Sequence, residues 1–138
     1  MNERLQRYKQ KMDVAIDKIN SLPRKPASST EIDATLYRVQ IAIEATMDII
    51  AMLVKDKGAT VSDDYHNIER LQELKIISST ESTELKRLNG LRNAIVHKYN
   101  KFEEETVIGH QENIKKKVLT FLQKVEHEIN TLFTQHKT

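Results

Sequence analysis

Only two prolines and three glycines interrupt a chain of 138 residues, and this scarcity of turn-formers limits the fold more than any other feature. Every reversal in a β-sandwich or barrel calls for Gly, Pro, Asn or Asp at special backbone angles, so five Gly and Pro residues cannot serve a turn-dense β protein. Leu, Ile, Lys, Glu and Gln are plentiful instead, and these side chains lose little freedom in a helix. An all-α protein is expected, as a single domain over residues 1–138, a length that buries about two-thirds of the unfolded surface. The lack of cysteine excludes disulfides, thiolate zinc sites and a cysteine nucleophile. The start, MNERLQRYKQKMD, has no apolar signal-peptide core, and the longest apolar run, Ile49 to Val54, is far short of a membrane span. A soluble cytoplasmic protein is expected. A net charge of +2 is too small to mark a nucleic-acid binder, so any such reading must rest on where the charges sit.

Apolar spacing predicts five helices, at about 2–21, 30–57, 63–76, 80–100 and 103–133, arranged as an up-down bundle. Leu5, Tyr8, Met12, Ile16 and Ile19 define the first. Two prolines at 23 and 26 end it, and Ser28 with Glu31 has capping-box spacing for the next. That second helix is apolar on most sides from Val39 to Val54, leaving a narrow stripe of Gln40, Glu44 and Asp48, and Gly58 is placed to cap its end. It should be the central helix. Ser78 to Glu81 repeats the capping pattern before the fourth helix, where Gly90 suggests close packing, and Glu103 to Glu105 supplies negative charge at the start of the last.

No Glu-x-x-His pairs exist for a di-iron bundle, and Asp63-x-x-His66 fits a helix cap beside a surface imidazole better than a metal site. No metal site is expected. Phosphate loops, Gly-x-Ser-x-Gly elbows and His-Glu-x-x-His motifs are missing. The unusual segment is Leu91 to Tyr99, which places Arg92, Asn93, His97 and Tyr99 within two turns of a core-forming helix. At about 100° per residue, Asn93 and His97 share one face and Arg92 and Tyr99 another, while Arg92 and His97 stand about 140° apart and flank a strip. Two copies related by a two-fold axis could line one cleft with two His and two Arg. His exchanges protons near neutral pH and Arg matches phosphate oxygens, a combination suited to phosphodiester cleavage with the RNA 2′-OH as nucleophile and no metal. Asn93 could orient the imidazole or hold a phosphate. The plain alternative is an Arg with a surface partner, a half-buried His and a Tyr on the core rim.

Arg92-Asn93-x-x-x-His97-x-Tyr99 resembles the Arg-x4-His-x-Tyr signature of the HEPN superfamily, in its HepT-like branch of prokaryotic toxins. Leu88 to Leu91 before the motif, Phe102-Glu103 after it, and the apolar helix Ile41 to Leu53 with Asp48 inside add to the resemblance, which spans roughly Glu31 to Val125. It implies a HEPN-like two-fold dimer acting as the toxin of a toxin–antitoxin pair. The activity implied is metal-independent endoribonuclease cleavage of RNA by Arg92 and His97, leaving a 2′,3′-cyclic phosphate. The implied partner is a minimal nucleotidyltransferase antitoxin that uses ATP to transfer AMP to Tyr99; the chain itself needs no cofactor. Lys98, Lys101 and the run Lys115, Lys116 and Lys117 offer either a basic track for RNA backbone or solvated helix faces. Glu44 and Asp48 either face the same groove or form an exposed stripe, the simpler account. The alternative function is a non-catalytic HEPN subunit that binds the nucleotidyltransferase and helps to present nucleotide or substrate to it.

Overall fold

The computed structural model describes residues 2–98 and 101–134, leaving aside the side chains of 98 and 101–103. Among the described residues there are six helices and no strand: α1 (Glu3–Asn20), α2 (Ser29–Asp56), α3 (Asp64–Glu73), α4 (Ser79–Lys98), α5 (Lys101–Gly109) and α6 (Gln111–Thr134). None is long and apolar enough to cross a membrane.

Short polar side chains set most of the helix starts. The Glu31 N–H donates to Ser28 Oγ at 3.1 Å while the Ser28 N–H donates to Glu31 Oε1 at 3.2 Å, closing the expected capping box of α2. Ser78 and Glu81 repeat it for α4 at 2.9 and 3.1 Å. Asp63 accepts from the His66 N–H at 2.9 Å, and its carboxylate also meets the His66 Nδ1 at 2.8 Å. The Asp63–His66 pair is thus used in starting α3. At the end of α2, Gly58 has φ +85°, and the bonds Gly58 N–H to Lys55 O and Ala59 N–H to Val54 O, both 3.0 Å, complete a Schellman motif.

Two expected boundaries move. The third helix stops at Glu73, not near Ile76, because Lys75 turns left-handed at φ +62°. Its N–H donates to Gln72 O, and the Ile76 N–H to Leu71 O, each at 2.9 Å, a second Schellman turn built without glycine. The apolar period runs past the helix end because Ile77 remains buried. The expected last helix divides at Gly109–His110 into α5 and α6, giving six helices where five are expected. Gly109 weakens the helix there, and the buried Gln111 donates through Nε2 to Pro23 O at 2.7 Å, pinning the break to the α1–α2 linker.

All five other helices pack on α2, which buries Val39, Ile43, Ile49, Ile50, Leu53 and Val54 completely. Each such side chain contributes about 1.5–3 kcal/mol. Gly90 does not mark crowding: a Cβ there would lie 3.6 Å from the Tyr65 hydroxyl, an ordinary contact.

Candidate active site

The polar stripe of α2 meets cations from two neighbours. Gln40, Glu44 and Asp48 recur every fourth residue of α2, each step turning about 40° further round the axis, and Asp56 lies two such steps beyond Asp48. Arg92 of α4 donates through Nε to Glu44 Oε2 at 3.1 Å, with Nη2 3.0 Å from the same oxygen. Gln40 Nε2 donates to that oxygen at 3.3 Å. One turn on, Lys11 of α1 pairs with Asp48 at 2.9 Å, and at the far end Arg4 pairs with Asp56 at 2.9 Å. Asp56 also accepts the Tyr8 hydroxyl at 2.6 Å. Burial and the Asp56 carboxylate push that phenol well above its ordinary range.

Arg92 is held from a second side, since its Nη1 donates to Asn93 Oδ1 at 2.8 Å. Guanidinium carries five N–H groups. With Nε on Glu44 and one Nη1 hydrogen on Asn93, N–H groups on both terminal nitrogens remain, the donors that two phosphate oxygens accept. Arg92, Glu44, Met47, Asp48 and Asp64 line a cavity of about 250 Å³. Burial pushes the Asp64 carboxyl up, and the charges of Asp48 and Asp63 add to that while Arg92 opposes it.

His97 is exposed, about 7.5 Å further along the α4 axis than Arg92, with the exposed Val96 beside it. Asn93 is engaged with Arg92 through its side-chain oxygen, where the sequence suggests an imidazole or a phosphate as its partner. Tyr99 lies outside the described residues, as do the side chains of Lys98 and Lys101. Lys116 and Lys117 line a separate groove of about 260 Å³ with Glu81 and Glu84. The cavity around Arg92 does not include them. Among the described residues no group of three or more His, Asp or Glu is placed to hold a metal ion.

The family model described as "Ribonuclease HepT-like" matches residues 3–125. The chain belongs to the HepT-like ribonuclease family. That match takes in α1, which the resemblance read from the motif, beginning near Glu31, leaves out. A protein of Archaeoglobus fulgidus named "Putative RNase" is 41% identical over 123 residues, covering 89% of this chain and 93% of the other. A second so named from the same organism is 46% identical over 99 residues, covering 70% and 74%. Among solved structures, a chain of a toxin–antitoxin crystallised with AMP-PNP superposes with TM-score 0.75 at 19% identity, covering 91% of this chain and 99% of that one. A structure of the tri-AMPylated HEPN toxin of Shewanella oneidensis in complex with MNT antitoxin gives 0.74 at 20%, covering 92% and 99%. At such identities the likeness establishes the HEPN toxin fold.

In this HepT-like chain Glu44, for which an exposed stripe is the simpler expectation from sequence, is instead paired with Arg92. Asp64 is not singled out by the sequence at all. The spacing of Gln40, Glu44 and Asp48 was the available signal, but a helix face alone does not say which neighbour will cover it.

Proposed function

We propose that the chain is a metal-independent endoribonuclease acting as the toxin of a toxin–antitoxin pair. The observation that carries this reading is Arg92, a guanidinium held by Glu44 and Asn93 with donors left on both terminal nitrogens, on the same helix as an exposed His97. In the reaction the 2′-oxygen of RNA attacks the adjacent phosphorus and the P–O5′ bond breaks. A base takes the 2′-OH proton and an acid protonates the departing 5′-oxygen, leaving a 2′,3′-cyclic phosphate and a 5′-OH. His97 is the proton-transfer group and Arg92 neutralises the charge gathering on the phosphorane. Each chain offers one His97, so a homodimer with two motifs facing one cleft supplies an acid and a base together. The exposed Val96 gives such a second copy an apolar surface beside the motif.

The proposed partner is a nucleotidyltransferase antitoxin that moves AMP from ATP to Tyr99. The phenol oxygen bonds to the α-phosphorus and pyrophosphate departs. An anionic nucleotide on Tyr99, seven positions after Arg92 in the sequence, competes with the RNA backbone by volume and by charge. Support comes from the family match and from the AMPylated HEPN toxin among the structural neighbours. Lys98, Lys101, Lys115, Lys116 and Lys117 are proposed as further backbone contacts. The test is RNA cleavage by the purified chain in excess EDTA. Activity that survives the chelator and disappears in His97→Ala supports the reading, and activity indifferent to His97→Ala ends it. Intact mass after co-expression with the partner then counts AMP on the chain, and its loss in Tyr99→Phe assigns it to Tyr99.

A further inference from the structure

The edge between α1 and α2 carries a groove that neither the motif nor the comparisons assign. Positions 4, 7 and 11 share one face of α1, so Arg4, Arg7 and Lys11 form a stripe about 10 Å long. With Lys55 of α2 they border a cavity of about 350 Å³ that Ala51, Met52 and Val61 also line, Val61 standing 44% exposed. Residues 2–11 hold four cationic side chains against one glutamate, so this corner is more positive than the whole chain at +2 and the remainder is slightly acidic. Arg4 is engaged with Asp56 and Lys11 with Asp48. Among the described residues, Arg7 and Lys55 have no carboxylate within the 4.0 Å of an ion pair. Asp48 lines both this groove and the Arg92 cavity, so the two adjoin.

We propose that the α1–α2 groove binds the single-stranded RNA segment flanking the scissile phosphate. Phosphates lie on Arg7, Lys11 and Lys55, and a base or ribose covers the apolar wall of Met52 and Val61. Cations bordering an apolar wall suit a nucleotide, which presents anion and flat apolar ring in alternation. An acidic protein surface would match the charge but gains nothing from a groove that shares Asp48 with the Arg92 cavity. The inference rests on the ribonuclease reading, with the substrate now given a direction of approach.

The experiment measures binding of a fluorescent 2′-O-methyl oligouridine of about 12 nucleotides, which cannot be cleaved, over about 50 to 200 mM salt. Wild type is compared with the Arg7→Glu, Lys55→Glu double variant and with Lys9→Glu, whose lysine borders a different cavity. Losing two phosphate contacts should flatten the slope of log K against log salt by about 1.4, at about 0.7 per contact. Affinity at low salt should fall at least tenfold, while Lys9→Glu stays close to wild type. Equal behaviour of the double variant and Lys9→Glu overturns the proposal. So does a double variant that keeps RNA affinity but loses the nucleotidyltransferase, which would give the groove to a protein partner. Wild type that cleaves RNA with no dependence on the groove removes this inference alone. Wild type that neither binds nor cleaves RNA removes the ribonuclease reading with it.

Discussion

Glu44→Ala should damage catalysis far more than stability. Both Glu44 and Arg92 are partly exposed, their side chains 31% and 27% accessible, so the ion pair contributes at most about 1 kcal/mol to folding. For a chain of this size that lowers the melting temperature by about 4 °C. The catalytic cost arises differently. Without Glu44 the guanidinium keeps only its Asn93 bond and recovers much of the roughly 2 kcal/mol of rotamer entropy that an arginine side chain carries. This freedom must be removed again in each transition state. At about 1.4 kcal/mol per factor of ten, kcat should fall about 30-fold. KM should not rise, because the variant removes a carboxylate from a cavity that already holds Asp48 and Asp64. Glu44→Gln keeps an acceptor for the Arg92 Nε–H and should fall between wild type and Glu44→Ala. Steady-state cleavage of a short fluorogenic RNA, with melting recorded on the same samples, measures both effects. An unchanged kcat would refute the positioning argument, and a higher kcat would mean that Glu44 restrains Arg92 from its phosphate.

Three further outcomes concern the scaffold. Gly90→Ala should stabilise the protein by about 0.5–1 kcal/mol in urea unfolding, because the new methyl meets only an ordinary contact with Tyr65 and the unfolded chain loses freedom. Lys75→Gly should also stabilise, by about 0.5 kcal/mol net, since it relieves a left-handed residue that costs about 1–2 kcal/mol while loosening the unfolded chain. The third outcome is loss of stability in acid. Backbone N–H donors hold Glu31 and Asp63 below their ordinary range. Burial pushes Glu81 up, but Lys124 and Ser78 outweigh it and hold that carboxyl low. A carboxyl lowered in the folded state contributes stability above its unfolded pKa and loses it as pH falls through the folded one, so the urea midpoint should drop on acidification. Asp64 has the opposite sign, its contribution being lost as pH rises. Asp64→Asn should therefore gain under about 1 kcal/mol near neutral pH, after solvent screening, and nothing in acid.

The helices were legible wherever a boundary depends on local chemistry. Ser28 with Glu31 and Ser78 with Glu81 announce α2 and α4 because both halves of a capping box lie within four residues. Gly58 announces the end of α2 because only glycine adopts its backbone angle freely. Lys75 does the same task with no such signal; tertiary packing of Ile77 holds a lysine where glycine is cheaper, so periodicity carried the expected helix too far. The division at Gly109 is not legible in the sequence for a similar reason. It depends on Gln111 reaching Pro23, 88 residues earlier, and sequence spacing carries no information about that. At the site, Arg92, Asn93 and His97 lie within one helix, α4, and their spacing could be read from the sequence. Glu44's engagement could not, because it joins positions 48 apart, and helical spacing says which residues share a face without saying what covers it.

A cavity with one guanidinium and three carboxylates is a poor place for a phosphate if the charges are simply counted. The pairings change the count. Glu44 accepts from Arg92, and Asp48 faces Lys11, so each of these two acids compensates a cation supplied by a different helix. Asp56 extends the same arrangement to Arg4. The acids of α2 therefore wind round the helix from a cation of α4 to cations of α1, and the paired acids add little repulsion beyond what their partners cancel. Asp64 is the exception: in the cavity it has Arg92 nearby but no ion pair of its own among the described residues. On the proposed approach through the α1–α2 groove, the backbone would meet Lys55, Arg7 and Lys11, which line that groove, and then the unpaired carboxylate of the Arg92 cavity. A chain with a net charge of +2 can then engage an anionic polymer along one line while most of its surface repels or ignores it, which favours a defined path over general adhesion.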